Sequence, residues 1–232
     1  MNRQEAPGWY GKVAALGDFA SRRLDHDWVQ ACDRWLSDCV SSSQAQLGDQ
    51  WLQAYLSAPV WRFAWAPGLA GPHWWFGVLM PSCDNVGRYF PLVIAQSREH
   101  PPLDRIGLDH LDLWWTHMAR AALNTLLEEH SLDAFESALH AAPPWPGGRH
   151  LPALAPLSAM LASPGAHGRQ AVPAGATLGE MAHALAAGEL QQQLARTSFW
   201  WPLWPAGGAS SCTTVAGLPP PQAFANMLTG AW

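Results

Sequence analysis

The sequence predicts a single α/β domain in which helices pack on both faces of a mixed, largely antiparallel sheet, forming a three-layer sandwich. Two continuous apolar segments, at residues 74–80 and 89–95, indicate this fold class. Neighbouring side chains of a strand point to opposite faces of the sheet, so an unbroken apolar run indicates a strand that is covered on both sides. Segments with helical periodicity before and after these strands would supply the covering layers.

The first predicted elements are a strand and an amphipathic helix. Residues 9–16 predict the strand. Asp27 is a suitable N-cap for a helix over residues 28–46, whose apolar side chains recur on one face. Gly48 should end this helix, and residues 49–56, which begin with an aspartate that can cap them, predict a short second helix.

The middle of the chain predicts a hairpin. A strand over residues 59–66 precedes it, and the short connection 81–88 contains the Asp, Asn and Gly typical of a turn. Trp74 and Trp75 are adjacent, so they should be buried on opposite faces. Pro91 cannot donate a ladder hydrogen bond, and it should therefore lie at an edge or a bulge.

The second half of the chain predicts further helices and two more strands. Residues 108–129 predict the longest helix, with a buried stripe that extends to Leu126. A Pro-, Gly- and Ala-rich excursion covers about residues 143–176. No linker separates two cores, so residues 1–232 are expected to form one domain. The other predicted elements are helices over residues 132–141, 178–195 and 220–229 and strands over residues 198–204 and 212–216.

Composition and charge restrict the classes of partner. Hydrophobic residues make up 49% of the 232 residues, charged residues make up 13%, and the formal net charge is −5. Such a chain should fold, and it lacks the basic face that nucleic acid binding requires. No apolar run is long enough for membrane insertion, and the polar N-terminus lacks a signal core. The four cysteines are spread out like reduced, buried thiols, so a cytoplasmic location is expected.

No enzyme signature is evident in the sequence. The Gly/Ser-rich residues 207–211 lack the lysine and the spacing of a phosphate-binding loop, and neither Gly-x-Ser-x-Gly nor His-Glu-x-x-His occurs. His110 and His117 lie about two helical turns apart, but a metal site there would need ligands from elsewhere. We therefore expect a non-catalytic binding protein without a metal or cofactor.

A set of charges embedded in glycine-rich and aromatic segments forms the candidate site. Its members are Lys12, Asp18, Arg62, Asp84 and Arg88, with Trp9 and Tyr10 as candidate aromatic anchors. A charge flanked by core residues must find a partner or be presented at a site. Two interpretations remain open. The charges could form internal pairs, for example Asp18 with Arg62 or Arg88, or they could form a polar docking patch at the sheet edge.

A series of short segments, taken together in their order along the chain, carries a resemblance to a known protein family. They are residues 8–12 (GWYGK), 17–19 (GDF), 47–51 (LGDQW) with 55–56 (YL), 58–63 (APVWRF), 77–82 (GVLMPS) and Asp84 with 86–92 (VGRYFPL), followed by Ser198, Trp200, Trp201, residues 217–219 (GLP) and Phe224. Together they resemble the TagF (ImpM) family of type VI secretion-associated proteins. The resemblance is dense over residues 8–96 and sparse from there to about residue 196. Ala14 and Leu16 depart from the proline and arginine frequent in the family.

The resemblance implies a cytoplasmic, post-translational repressor of type VI secretion in a Gram-negative bacterium. Family members are thought to repress assembly by binding the forkhead-associated (Fha) scaffold protein, independently of the threonine kinase–phosphatase switch. Some members carry a fused metal-dependent phosphatase domain. This chain lacks the acidic metal motifs of that domain, so no phosphatase activity is expected.

Two other functions remain open from the sequence. One is a hydrolase-type enzyme that uses Asp18, Asp84 or a histidine, and a deep pocket holding at least two such groups would favour it. The other is a structural accessory component of the secretion apparatus, which stoichiometric recovery with the assembled machine would favour.

Overall fold

A computed structural model of the chain describes residues 6–102, 104–127, 131–145, 154–156, 161, 163–203 and 211–232. The strands are β1 (Gly8–Gly11), β2 (Ala20–Arg22), β3 (Trp61–Trp65), β4 (Trp74–Met80), β5 (Leu92–Arg98), β6 (Thr197–Pro202) and β7 (Thr213–Ala216). The helices are α1 (His26–Leu47), α2 (Trp51–Ser57), α3 (Arg105–Asn124), α4 (Leu132–His140), α5 (Leu178–Gln193) and α6 (Phe224–Thr229). Short 3-10 turns, Gly48–Gln50 and Pro221–Ala223, lead into α2 and α6.

Within the described ranges the strands form one seven-stranded open sheet in the order β2-β1-β5-β4-β3-β6-β7. The predicted hairpin of β4 and β5 lies inside it and pairs from Trp74 opposite Arg98 to Met80 opposite Leu92. Among the described residues every strand pair is antiparallel, and an isolated parallel bridge joins Thr197 to Gly217. The predicted α/β class with a largely antiparallel sheet is confirmed, although its parallel part is limited to that bridge.

Two apolar cores lie on opposite faces of the sheet. Trp74 belongs to the core that α3 and α4 cover, and Trp75 belongs to the core that α1, α2 and α6 cover. Every residue of β4 is buried. The absence of polar alternation in its sequence therefore follows from burial on both faces, as predicted.

Gly77 shows how closely the centre of the sheet packs. A Cβ atom added at this position would lie 2.3 Å from the carbonyl oxygen of Ile94 and 2.3 Å from Cζ of Phe63. One of these neighbours is backbone and the other is a buried ring, so neither can retreat cheaply. Only glycine fits on β4 beside Phe63.

The first strand is shorter than predicted. β1 ends at Gly11, whose φ of +130° is a conformation that other residues rarely adopt. The chain then turns, with the Leu16 N–H donating to the Val13 carbonyl at 2.8 Å, and returns as β2. The prediction of a strand over residues 9–16 was wrong because apolar residues continue through this turn.

Two helix boundaries also differ from the predictions. α1 begins at His26 with Asp25, not Asp27, at the N-cap position, and that side chain makes no capping hydrogen bond. α3 has 20 residues, whereas α1 has 22, so α3 is not the longest helix. Leu126 lies beyond the end of α3 and is 44% exposed. None of the described helices is both long and apolar enough to cross a membrane.

Several further predictions can be placed on the structure. Pro91 directly precedes β5, which pairs with β1 and β4, so it lies at the end of an interior strand instead of at an edge or a bulge. Gly48 ends α1 as predicted, but Gln50 occupies the N-cap position of α2. The predicted C-terminal strands and helices agree with β6, β7, α5 and α6 to within a few residues. In the predicted excursion, residues 146–153, 157–160 and 162 lie outside the described residues.

Candidate functional site

Three members of the predicted charged set meet at Asp84, whose carboxylate is bound by two basic side chains. Its Oδ2 accepts hydrogen bonds from Lys12 Nζ at 2.6 Å and from Arg88 Nε at 2.7 Å. Its Oδ1 accepts the backbone N–H groups of Val86 at 3.1 Å and of Arg88 at 2.9 Å. The side chain of Asp84 is fully buried and that of Lys12 is 4% exposed. We call Lys12, Asp84 and Arg88 the Asp84 cluster.

Hydrogen bonding decides the charge of Asp84. Burial by itself would raise the pKa of Asp84, but the bonds from Lys12, Arg88 and Val86 outweigh it and hold the pKa well below its usual range. A carboxylate stabilised in this way has little basicity, which suits an ionic tether better than a proton acceptor. The Asp84 cluster is therefore best understood as a structural ion-pair cluster that holds neighbouring segments together.

The Asp84 cluster joins two loops at one end of the sheet. One loop, residues 12–19, follows β1, and the other, residues 81–91, connects β4 to β5. Two further bonds hold them together: the Asn85 N–H donates to the Leu16 carbonyl at 3.1 Å, and the Arg88 guanidinium donates to the Gly17 carbonyl. We call these two segments the loop pair.

The outer surface of the loop pair combines apolar and charged side chains. Phe19 is 46% exposed and Val86 is 67% exposed. The side chain of Arg88 is 56% exposed although its Nε bonds to Asp84. Asp18 is exposed and accepts the backbone N–H of Phe19 at 2.8 Å. The loop pair therefore presents two large apolar side chains and one charge of each sign to solvent.

The predicted aromatic anchors are buried. Trp9 is 0% exposed and its Nε1 donates to Glu136 at 2.6 Å. Tyr10 is 6% exposed and its hydroxyl donates to Asp33. Neither residue presents a ring to a partner, because both rings fill the two cores. The exposed ring in this region is that of Phe19.

Arg62 lies apart from the loop pair, on β3, which β5 and β4 separate from β1. Its guanidinium donates to the Asp112 carboxylate on α3 and to the Pro202 carbonyl at 3.3 Å. Burial lowers the pKa of Arg62, and the charge of Asp112 opposes this. Its Cζ also lies 5.9 Å from the centre of the Trp201 ring. The charge of Arg62 is thus neutralised within the fold.

Internal ion pairs, one of the two interpretations that the sequence left open, are present among the described residues, but Asp18 is not the acidic partner in them. The acidic partners are Asp84, which pairs with Lys12, and Asp112, which pairs with Arg62. Asp112 gave no local signal because it resembles an ordinary surface residue of a helix. The docking interpretation stays a prediction, and within the original set it now concerns the exposed side chains of Asp18 and Arg88.

A second buried carboxylate, Glu136 on α4, was missed by the sequence reasoning. It accepts Trp9 Nε1 at 2.6 Å and Arg23 Nη1 at 2.8 Å. Burial would raise the pKa of Glu136, but Arg23 and Trp9 hold it below its usual range. The sequence signal that could have indicated a buried carboxylate is its position on α4 between two core residues, Phe135 and Leu139. Glu136 fastens α4 to the hairpin of β1 and β2.

The described residues do not form a metal centre. Within that part of the chain, no group of three or more His, Cys, Asp or Glu side chains could hold an ion. His117, which the sequence placed two helical turns from His110, contacts the Ala138 carbonyl oxygen through Nε2 at 2.8 Å. His117 therefore links α3 to α4.

These features define a class: a two-core α/β protein whose buried charges fasten its loops and whose loop pair faces solvent. Comparison with known proteins identifies the family. The model of the TagF N-terminal domain, described as type VI secretion system-associated, matches residues 8–142. The chain belongs to the TagF family of type VI secretion-associated proteins, as the sequence resemblance implied.

A solved structure extends this likeness over nearly the whole chain. PA0076 from Pseudomonas aeruginosa PAO1 is 35% identical in sequence and superposes with a TM-score of 0.71, covering 97% of this chain and 94% of that one. The C-terminal strands and α6 therefore belong to a shared fold although they lie beyond residue 142. No curated protein matches the chain significantly.

Proposed function

We propose that this chain is a cytoplasmic, post-translational repressor of type VI secretion that acts by binding the forkhead-associated (Fha) scaffold protein. Membership of the TagF family supports the connection with type VI secretion. The observation that supports a binding role is the loop pair, where exposed apolar side chains lie on a backbone held by the buried Lys12–Asp84 ion pair.

The loop pair has the composition of a small docking surface. Phe19 and Val86 offer the apolar area that supplies most binding energy in protein interfaces. Asp18 and Arg88 flank them, and such rim charges chiefly orient a partner. The Phe19 ring is already positioned, since it packs edge-to-face on Phe90 with ring centres 4.8 Å apart. A surface ordered before binding loses less entropy when the partner arrives.

The hydrolase alternative requires catalytic groups that converge in one pocket. Asp84 is buried with its donors, and Asp18 lies on the outer surface of the loop pair. This arrangement favours a binding role for the loop pair. A structural accessory role would use the same surface, and recovery of the chain in stoichiometric amounts with assembled machinery would distinguish it from repression.

Substitution of Val86 with glutamate tests the proposal with little risk to the fold. Calorimetric titration with the purified Fha scaffold protein should show affinity at least about tenfold weaker for Val86→Glu than for the wild type, because a charge replaces a central apolar contact. Leu113→Glu is the matched control, since Leu113 on α3 is 59% exposed and lies outside the loop pair.

Both variants should retain the wild-type thermal midpoint, and only Val86→Glu should relieve repression in a secretion assay. Equal affinity of wild type and Val86→Glu for the scaffold would refute the loop pair as its binding surface. No binding by the wild type would refute the Fha partner itself.

A further inference from the structure

Lys12 is the only lysine of the chain, and its side chain is buried. A buried ammonium group must be neutralised and satisfied by the protein itself. Asp84 Oδ2 accepts one of its N–H groups at 2.6 Å. The ring of Phe19 lies over the same ammonium, with its centre 4.3 Å from Lys12 Nζ. The face of an aromatic ring attracts a cation, so Phe19 and Asp84 together hold the charge of Lys12.

Phe19 differs from Lys12 in being half-exposed. Its ring packs edge-to-face on Phe90 and stacks on Tyr10 with ring centres 6.2 Å apart, while 46% of the residue remains open to solvent. The ring therefore has interior neighbours on one side and water on the other. Since Lys12 is buried and contacts this half-exposed ring, the ring forms an outer cover of the ammonium group.

The backbone on both sides of Phe19 is tied down. The Gly17 carbonyl accepts a hydrogen bond from the Arg88 guanidinium, and Ala20 begins β2. The phenylalanine ring itself has no hydrogen bond to break. It can therefore leave Lys12 by rotation about its first side-chain torsion, with the backbone in place. Exposed side chains make such rotations within nanoseconds.

We propose that the Phe19 ring is a lid over the Lys12–Asp84 ion pair, which opens by side-chain rotation and is held closed when a partner packs on it. With the lid open, water reaches the two charges and weakens their attraction, because the local dielectric constant rises. The Asp84 cluster then holds the two segments of the loop pair less tightly. A partner on Phe19 keeps the ion pair dry and both segments in place. The link to a partner rests on the proposed function, whereas the lid does not.

Amine labelling of the full chain tests the lid at a single site, because Lys12 is the only lysine. The reagent is an acylating succinimidyl ester, and peptide mapping by mass spectrometry separates Lys12 from the terminal amino group. Phe19→Ala should label Lys12 at least about tenfold faster than the wild type, because no ring covers the ammonium. Phe19→Tyr keeps the ring face and should label at the wild-type rate. Val86→Ala is the matched control, since it removes an exposed apolar side chain from the other segment of the loop pair and should also leave the rate unchanged.

A second probe separates opening of the lid from unfolding of the chain. Cys39 is a buried thiol on α1, so its labelling by a disulfide reagent reports global unfolding. Phe19→Ala should accelerate labelling of Lys12 without accelerating that of Cys39. An equal acceleration at both residues would assign the effect to unfolding and overturn the lid. Should Phe19→Ala fail to fold, Phe19→Leu decides: it keeps apolar bulk without the ring face, and labelling about threefold faster supports the lid, whereas the wild-type rate overturns it.

Labelling with the purified Fha scaffold protein at saturation tests the closed state. Binding is measured separately by calorimetry, and bound scaffold should slow labelling of Lys12 by at least about fivefold. The proposal is overturned if folded Phe19→Ala labels Lys12 at the wild-type rate, or if bound scaffold leaves the wild-type rate unchanged. Absence of scaffold binding would refute the proposed partner alone, and the comparison of the free variants would then decide the lid.

Discussion

Replacement of Lys12 with methionine tests whether the Asp84 cluster fastens the loop pair. Lys12 Nζ lies 2.6 Å from Asp84 Oδ2, and both side chains are buried. Methionine fills most of the space of the lysine stem but supplies no cation. Asp84 would keep its bond from Arg88 Nε at 2.7 Å and the backbone bonds of Val86 and Arg88.

The expected effect follows from these remaining donors. Removal of one partner of a buried ion pair costs about 3–5 kcal/mol. Because several donors remain, we expect Lys12→Met to lower the free energy of unfolding by about 2–3 kcal/mol. For a chain of 232 residues, this corresponds to a fall of about 4–12 °C in the thermal midpoint.

Urea unfolding monitored by tryptophan fluorescence measures this change. Arg105→Met is the matched control, because Arg105 pairs with Asp109 on the exposed surface of α3 and should contribute less than about 1 kcal/mol. The double variant Lys12→Met/Asp84→Asn should lose less stability than the sum of the single variants, since both charges leave together. A Lys12→Met effect no larger than that of the control would refute the reasoning.

Four further predictions follow from the contacts above. Glu136→Ala leaves Trp9 Nε1 buried without its acceptor and should lower the free energy of unfolding in urea by about 1–3 kcal/mol. Adding Trp9→Phe should recover part of this loss. No recovery would contradict the role of Glu136 as the acceptor of Trp9. Because the pKa of Asp84 is lowered, its carboxylate stabilises the fold above about pH 4, and this stabilisation is lost as the pH falls below that value. Asp84→Asn should therefore flatten the dependence of the thermal midpoint on pH between about pH 4 and 2. An unchanged slope would count against this role of Asp84. Gly77→Ala should reduce soluble yield and cost at least about 2 kcal/mol because its Cβ meets backbone; wild-type stability would show that the sheet relaxes. Burial raises the pKa of Cys39 to about 12, so this thiol should react with a disulfide reagent at pH 8 only at the rate of unfolding. Labelling of Cys39 faster than unfolding, detected by mass spectrometry, would contradict this prediction.

The central hairpin could be predicted because burial on both faces leaves a continuous apolar run in β4. The end of β1 could not be predicted in the same way. A Cβ at Gly11 would lie 2.0 Å from the carbonyl oxygen of Pro91, a contact across the sheet that local periodicity does not contain. The apolar residues that follow Gly11 therefore resembled a longer strand.

The candidate site shows the same division between local and distant information. Sequence alone could indicate that charges flanked by core residues need partners. It could not name those partners, because Lys12 and Asp84 are 72 residues apart and Arg62 and Asp112 are 50 residues apart. The exposure of Phe19 likewise depends on how the first segment of the loop pair packs on Phe90 in the second.

Hydrogen exchange of the chain, alone and with a saturating amount of the purified Fha scaffold protein, tests the central claim most directly. If the loop pair is the binding surface, amide exchange should slow in residues 12–19 and 81–91, while the α3 surface around Leu113 should exchange at its free rate. Protection confined to other segments, or no change at saturation, would contradict the proposal that this surface binds the scaffold.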